Sequence, residues 1–342
     1  MGNCLEKPKV SMAEITPSSD SYLDKSSSII KSSLPTPIVK LYGSLEDTLT
    51  NYIRFALQYK PVNLQFVLTQ PTRFGSEMPY IRFESDTVWG SLETILEYVE
   101  SKFPDPPLAR KPGWIHETPP PAIVTMGVMQ HRSMTWHLDR MVRWAEDLAA
   151  RGGKARGDPR MGSPRMEVRK FATSYSQLLE LMLEHAQMEE TVVFPVLERA
   201  DRGLSKVANE EHAMHLPIMN GIKEDIKSIG VMDSGSPVFV EALVNLPSRL
   251  KKLQTICNAH FEEEERELFP LMEATELSRQ QQERAVEESL KTMRGTHSNL
   301  FTFFMEGLSP RDAMHYLQLV HQIADKGWVA TMFRSLVEPN ER

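Results

Sequence analysis

Residues 185–195 read His185-Ala186-Gln187-Met188-Glu189-Glu190-Thr191-Val192-Val193-Phe194-Pro195, and residues 260–270 read His260-Phe261-Glu262-Glu263-Glu264-Glu265-Arg266-Glu267-Leu268-Phe269-Pro270. Both are His-x-x-x-Glu-Glu-x-x-x-Phe-Pro, set in sequence with helical periodicity. On an α-helix, positions i and i+4 share a face with Cβ atoms roughly 5–6 Å apart. An imidazole and a carboxylate one turn apart can share a metal ion, and two such helices can supply a pair of metals.

Working outward, the first motif sits in a helix expected from about Ser174 to Arg199. There Leu178, Leu181, Met182, His185, Met188, Val192 and Val196 fall on one stripe, which turns His185 and Glu189 inward. The second sits in a helix from about Phe239 to Ala274, where Leu253, Ile256, Cys257, His260 and Leu271 do the same for His260 and Glu264. Carboxylates facing an apolar core are costly unless paired or metal-bound. The other glutamates of the second motif are assigned to solvent or to an outer sphere.

Two more helices each bring a histidine. From about Met126 to Ala150, His131 lies on a stripe with Met134, Leu138, Met141, Ala145 and Leu148, while His137 falls to its flank and reads as an edge residue. From an N-cap at Asn209 to about Ile229, Glu211-His212 heads a stripe with Leu216, Met219 and Ile226. His215 also fits the inward face and stands as a possible extra ligand; Pro217 should kink this helix. The chemistry-bearing set is thus His131, His185, Glu189, His212, His260 and Glu264. A duplicated helix pair puts His131 and His185 on one metal, His212 and His260 on the other, with Glu189 and Glu264 bridging. Such donors suit iron, manganese or zinc. Four amphipathic helices joined by linkers imply an up-down-up-down bundle, and residues 276–336 add two or three more helices within a C-terminal helical extension to residue 342.

These motifs, with Gln130-His131-Arg132 and Glu211-His212, resemble the hemerythrin-like, or HHE cation-binding, domain over about residues 123–275. The resemblance implies a non-haem di-iron centre with imidazole and bridging carboxylate ligands, two irons per chain. Oxygen-carrying members have His-x-x-x-His in the third helix, where Leu216 stands four residues after His212. They also place an aspartate five residues after the fourth-helix histidine, where this chain has Glu264 at four. The departures point from oxygen carriage towards iron, oxygen or redox sensing, or iron sequestration, in a non-catalytic protein. Other readings are a helical scaffold with a structural metal, and a glutathione-linked or oxygen-activating enzyme.

Residues 37–105 have a different grammar. Ile38–Tyr42, Asn63–Leu68 and Pro79–Phe83 read as strands; Leu49–Tyr59 and Leu92–Phe103 read as amphipathic helices. Leu41-Tyr42-Gly43, Met78-Pro79-Tyr80 and Gly90-Ser91 through Tyr98 resemble the thioredoxin-like N-terminal domain of glutathione transferases. That resemblance implies a cis proline at Pro79 and a γ-glutamyl-binding serine at Ser91. Gly90 replaces the usual acidic residue or Gln, and the activating position falls near Asp47-Thr48-Leu49. With no cysteine in the segment, thiol exchange is excluded, and the unit reads as a docking module with a vestigial glutathione site. Residues 106–122 form a Pro-rich linker. The overall expectation is a multidomain chain: a small α/β unit, a four-helix bundle and C-terminal helices.

At 342 residues, 41% apolar and 25% charged, the chain can bury a large core; its net charge of -7 gives no reason to expect nucleic-acid partners. Its two cysteines, Cys4 and Cys257, form neither a disulfide framework nor a thiolate metal site, which fits a reducing, cytoplasmic setting. Residues 1–36, rich in Ser, Thr, Pro and Lys, read as a flexible tether. Within it Gly2 could carry myristate and Cys4 palmitate, which would hold the protein peripherally on the cytoplasmic face of the plasma membrane. Glu6 stands where that motif prefers Ser or Thr. The expected outcome is that a Gly2→Ala protein loses membrane association in cell fractionation; an unchanged distribution would refute the anchor.

Overall fold

Ile38-Val39-Lys40-Leu41-Tyr42 alternates buried and exposed side chains, as a strand against a single core must. In the computed structural model, which describes residues 36–69, 78–108, 120–152, 154 and 163–337, it forms β1 (Ile38–Gly43). The helix α1 (Thr48–Gln58) comes next, capped by Asp47, whose carboxylate accepts from the Thr50 amide at 2.7 Å. After it lie β2 (Asn63–Leu68), β3 (Tyr80–Phe83), β4 (Asp86–Trp89) and α2 (Leu92–Lys102). The sheet order is β2-β1-β3-β4, with β1 parallel to β2 and antiparallel to β3. β4, which periodicity did not reveal, is a four-residue strand made by the short turn after Phe83. The resemblance implied a cis proline at Pro79, but among the described residues only the Asp105–Pro106 bond is cis. The Ser91 hydroxyl caps α2 by accepting from the Thr94 amide at 3.3 Å.

The helix α1 has two buried faces. Ile53 and Leu57 join Val39, Leu41, Ile81, Ile95 and Val99 under the sheet. Tyr52, Phe55 and Ala56 turn the other way, into the large helical core. The Tyr52 hydroxyl donates to the Met314 carbonyl at 2.8 Å, and its ring packs on Phe333.

That large core is built on four long helices: α3 (Ala122–Ala150), α4 (Pro164–Met188), α6 (Lys206–Val231) and α7 (Pro237–Glu263), with α5 (Phe194–Ala200) and α8 (Phe269–Ala274) continuing α4 and α7. Each long helix packs on two others: α3 on α4 and α7, and α6 on α4 and α7. Helix α6 begins at Lys206 rather than after Asn209, because Asn209 turns its amide back to the Ser205 carbonyl inside the first turn. The heptad stripe of α3 is buried throughout, His131 to Leu148.

Two stripes lose their phase. Leu271 is 40% exposed, and Phe269 and Met272 are buried in its place; likewise Val193, Phe194 and Leu197 are buried rather than Val192 and Val196. The cause is a π-helical turn within each motif, Glu189–Val193 and Glu264–Leu268, which inserts an extra residue and rotates the remainder of the helix. Leu216 is also displaced from the core, at 41% exposed.

The C-terminal helices α9 (Arg279–Thr292), α10 (Phe301–Glu306), α11 (Pro310–Ile323) and α12 (Lys326–Val337) share the bundle's core rather than forming their own. They cover one side of α3. The Ser133 hydroxyl donates to the Phe304 carbonyl, and Gly307 lies so close to Ser133 that a Cβ there would fall 2.8 Å from its backbone. His137 is therefore no edge residue: it is 1% exposed, stacks on Phe303 at 3.7 Å and donates from Nε2 to the Phe303 carbonyl. No described helix is long and apolar enough to cross a membrane. Gly2, Cys4 and residues 109–119 of the Pro-rich connection lie outside the described residues.

His297, 1% exposed, donates from Nδ1 to the Met293 carbonyl and accepts at Nε2 from the Tyr316 hydroxyl, and burial pulls its pKa down to about 4. Its unfolded value is near 6.5, so the unfolded chain binds the extra proton first. The stability this neutral imidazole supports is complete above that value and is lost as pH falls through about 4. At roughly 1.36 kcal/mol per unit, the loss amounts to about 3 kcal/mol. In urea unfolding of metal-free protein, a His297→Asn variant is expected to lose that much less between pH 7 and pH 4. Parallel curves for the two proteins would refute the assignment.

Candidate metal centre

Each motif places its histidine and its glutamate on one helical face, and the π turn fixes how that face ends. Pro195 and Pro270 have no N–H to continue an α-helix, and their rings crowd the preceding turn. The ladder widens instead, the Phe194 amide donating to the Glu189 carbonyl and the Phe269 amide to that of Glu264. The turned ends bring Phe194 and Phe269 against the histidines of the other two helices. Phe269 stacks on His131 at 5.5 Å, and Phe194 on His212 at 5.9 Å. Gly127 makes room for the former, since a Cβ there would lie 2.8 Å from the Phe269 ring.

All six residues singled out from sequence converge. His131, His185, Glu189 and Glu264 form one group of donors, and His212, His260, Glu189 and Glu264 another, each with its ligand atoms within 4.8 Å of one another. The two carboxylates belong to both. Glu189 Oε1 lies 3.2 Å from His185 Nε2 and 3.7 Å from His131 Nε2, whereas its Oε2 faces His212 Nε2 at 3.5 Å. Glu264 is oriented the opposite way, Oε2 to His131 at 3.4 Å and Oε1 to His260 at 3.5 Å. His215 is in neither group; its ring stands edge-on to His260 at 5.3 Å.

The imidazoles are braced from behind. His131 Nδ1 donates to Glu265 at 2.9 Å and His212 Nδ1 to Glu190 at 3.0 Å. His185 Nδ1 donates to the Gln130 side-chain carbonyl at 2.9 Å, and His260 Nδ1 to Glu211 at 2.7 Å. The rule is symmetric. The residue before each histidine of α3 and α6 holds the motif histidine of its own half, and the second glutamate of each motif holds the histidine of the other half. From sequence Glu265 is assigned only to solvent or an outer sphere, and Gln130, Glu190 and Glu211 are given no such role. Their signal was present in the doubled Glu-Glu and in the Gln-His and Glu-His pairs.

With Nδ1 occupied as a donor, every Nε2 turns inward. The inward nitrogens meet in pairs, His131 with His185 at 3.1 Å and His212 with His260 at 3.0 Å. Such a pair needs a cation between its members, a proton or a metal ion. The carboxylates carry the same demand: both oxygens of Glu189 and of Glu264 are buried with no hydrogen-bond partner. Burial opposes charge on His131, yet the nearby carboxylates of Glu189 and Glu264 and the hydrogen bond to Glu265 outweigh it and hold His131 well above its usual pKa. His212 is raised to about 9, burial again being overcome by Glu189 and Glu190. Burial pulls His260 down to about 4. Glu264 is raised by burial and then by the charge of Glu189. Two donors each about 2.1 Å from a shared ion stand roughly 3–4 Å apart, the spacing seen here. Each of the two donor groups, which share Glu189 and Glu264, could hold a cation.

Pro79 and Ser91 stand apart from this cluster at the sheet, Ser91 engaged as a helix cap. His315 and His321 belong to neither donor group.

Residues 123–272 match the family described as Hemerythrin HHE cation binding domain. No curated protein and no solved structure shows a significant match to the chain. The bundle segment is thus similar to the hemerythrin HHE cation-binding domain, over the residues that carry all six converging side chains.

Proposed function

We propose that this protein is a non-haem di-iron protein whose six residues His131, His185, Glu189, His212, His260 and Glu264 hold two metal ions, and that it senses or sequesters iron rather than carrying out turnover. The observation that carries the reading is the set of four unpartnered, buried carboxylate oxygens enclosed by four imidazole Nε2 atoms. Leaving two carboxylates so enclosed without a countercharge costs several kcal/mol. Imidazole and carboxylate suit iron, with manganese and zinc as the competing ions. Sensing follows from where the centre sits, because it ties all four long helices together at one point. Metal binding to the native state alone raises its stability, and the bundle becomes a reporter of metal supply.

The ring of contacts among α3, α4, α6 and α7 supports the up-down-up-down bundle. The β2-β1-β3-β4 sheet supports a thioredoxin-like unit used for docking, since Ser91 is spent on capping α2. Membrane attachment through Gly2 and Cys4 remains part of the proposal on sequence grounds alone.

Full-length protein loaded with ferrous iron is expected to hold two metals per chain by elemental analysis, and both His185→Ala and His260→Ala to lose metal. At free iron a hundredfold above Kd, stabilisation is about 2.7 kcal/mol, which raises Tm by roughly 4 °C for a cooperative unit of this size. Absence of bound metal, or unchanged content in both variants, would overturn the reading. The crosswise braces give a finer test. Glu190→Ala and Glu265→Ala are each expected to weaken metal affinity by about 10–100-fold, measured by competition with a chelator; unchanged affinity in both would refute their role.

A further inference from the structure

The two halves of the centre match in their ligands but not in their surroundings. His131 is enclosed between two phenylalanines: Phe269 on one side and Phe261, stacked at 4.5 Å, on the other. Phe261 is the residue immediately after the motif histidine. At the same place in the first motif, after His185, stands Ala186. His212 has Phe194 stacked on it, and Ala186 lines the same cavity as His212 where the second motif carries a phenylalanine. The His131 half is further roofed by the C-terminal helices, through Ser133, His137 and Phe304.

The space left beside Ala186 is a cavity of about 440 Å³. His185, His212 and His260 border it, Met182, Leu183, Leu216, Met219 and Phe261 supply apolar wall, and Glu190 and Asn209 add polar groups to the lining. Leu183 and Leu216, each about two-fifths exposed, stand on the solvent side. This accounts for the displacement of Leu216 from the α6 core stripe. The volume lies within the 300–1,000 Å³ usual for small-molecule sites and is many times the roughly 30 Å³ of a water molecule. It is far more than a diatomic molecule or metal passage requires. His215, on the cavity wall, adds an imidazole beside His260.

Resting on the two-metal reading above, we propose that this cavity binds an organic monocarboxylate. The carboxylate points to the His212–His260 metal position and the apolar body lies along Met182, Leu216 and Met219. An anionic oxygen donor complements a divalent ion, and the thioether and aliphatic walls complement an aromatic or short aliphatic body. On the His131 side Phe261 and Phe269 stack on the imidazole, and the ring of Phe261 forms part of the cavity wall. The substitution of Ala186 for the phenylalanine of the second motif is what admits the ligand.

The test uses full-length, iron-loaded protein, titrated with benzoate and with acetate while the absorbance of the metal centre is followed. A saturable change with benzoate, at least tenfold tighter than with acetate, is expected. It should be lost or weakened at least tenfold in Ala186→Phe, and in the smaller Ala186→Leu should the first variant fold poorly. Metal content and circular dichroism serve as controls for folding. Equal responses of wild type and both variants, no preference for benzoate over acetate, or no response at all would overturn the proposal. Failure of wild type to hold metal would instead overturn the two-metal reading on which it rests.

Discussion

Two carboxylates, Glu189 and Glu264, lie at the centre of four helices with both oxygens of each buried and unpartnered. Carboxylates in such a place are stable only beside compensating positive charge. The rest of the bundle can be understood as the apparatus that supplies it. Four imidazoles are aimed at them, and each imidazole is locked by a partner at its far nitrogen. The side chains that do the locking come crosswise from the two repeats. No helix pair can complete its half of the site alone, since His131 needs Glu265 from α7's extension and His212 needs Glu190 from that of α4.

The π turns serve this arrangement. An uninterrupted α-helix would carry the apolar stripe straight on and keep Leu271 in the core. The prolines of the two Phe-Pro pairs force one wide turn, after which Phe194 and Phe269 point inward against the imidazoles. One irregularity, used twice, both ends the ligand-bearing face and supplies the ring that shields it. The ligand set is symmetric as a result, and the asymmetry comes from elsewhere: from Ala186 in the place of Phe261, and from the helices after residue 276, which pack on α3 and α4.

Those C-terminal helices also link the centre to the rest of the chain. Gln130, which holds His185, faces the Tyr316 hydroxyl, and Tyr316 in turn donates to His297. All four side chains are buried. On the far side of the same helices, Tyr52 and Phe333 bring α1 of the sheet unit into the large core. The sheet, the C-terminal helices and the bundle thus share apolar surface, where composition and the Pro-rich segment had suggested separate pieces.

Sequence by itself determined the four long helices of the bundle, the six residues that converge and their division into two pairs, but expected two or three helices after residue 276 where four are described. What it determined arises from local geometry: the 3.6-residue period decides which side chains share a face, and the His-to-Glu spacing decides that they lie one turn apart. It also located three of the four strands, where alternation was clear, but not β4, which is too short to show a period. Beyond its reach was whatever depends on a second element. His137 reads as an edge residue until Phe303 covers it, and Leu216 reads as core until Ala186 leaves a cavity beside it. Phase after Glu189 and Glu264 was lost because one π turn shifts every later residue. The far-side partners of the imidazoles, and the inequivalence of the two halves, were decided only in three dimensions. Both depend on which helix stands opposite which, and helical periodicity carries no information about the neighbour.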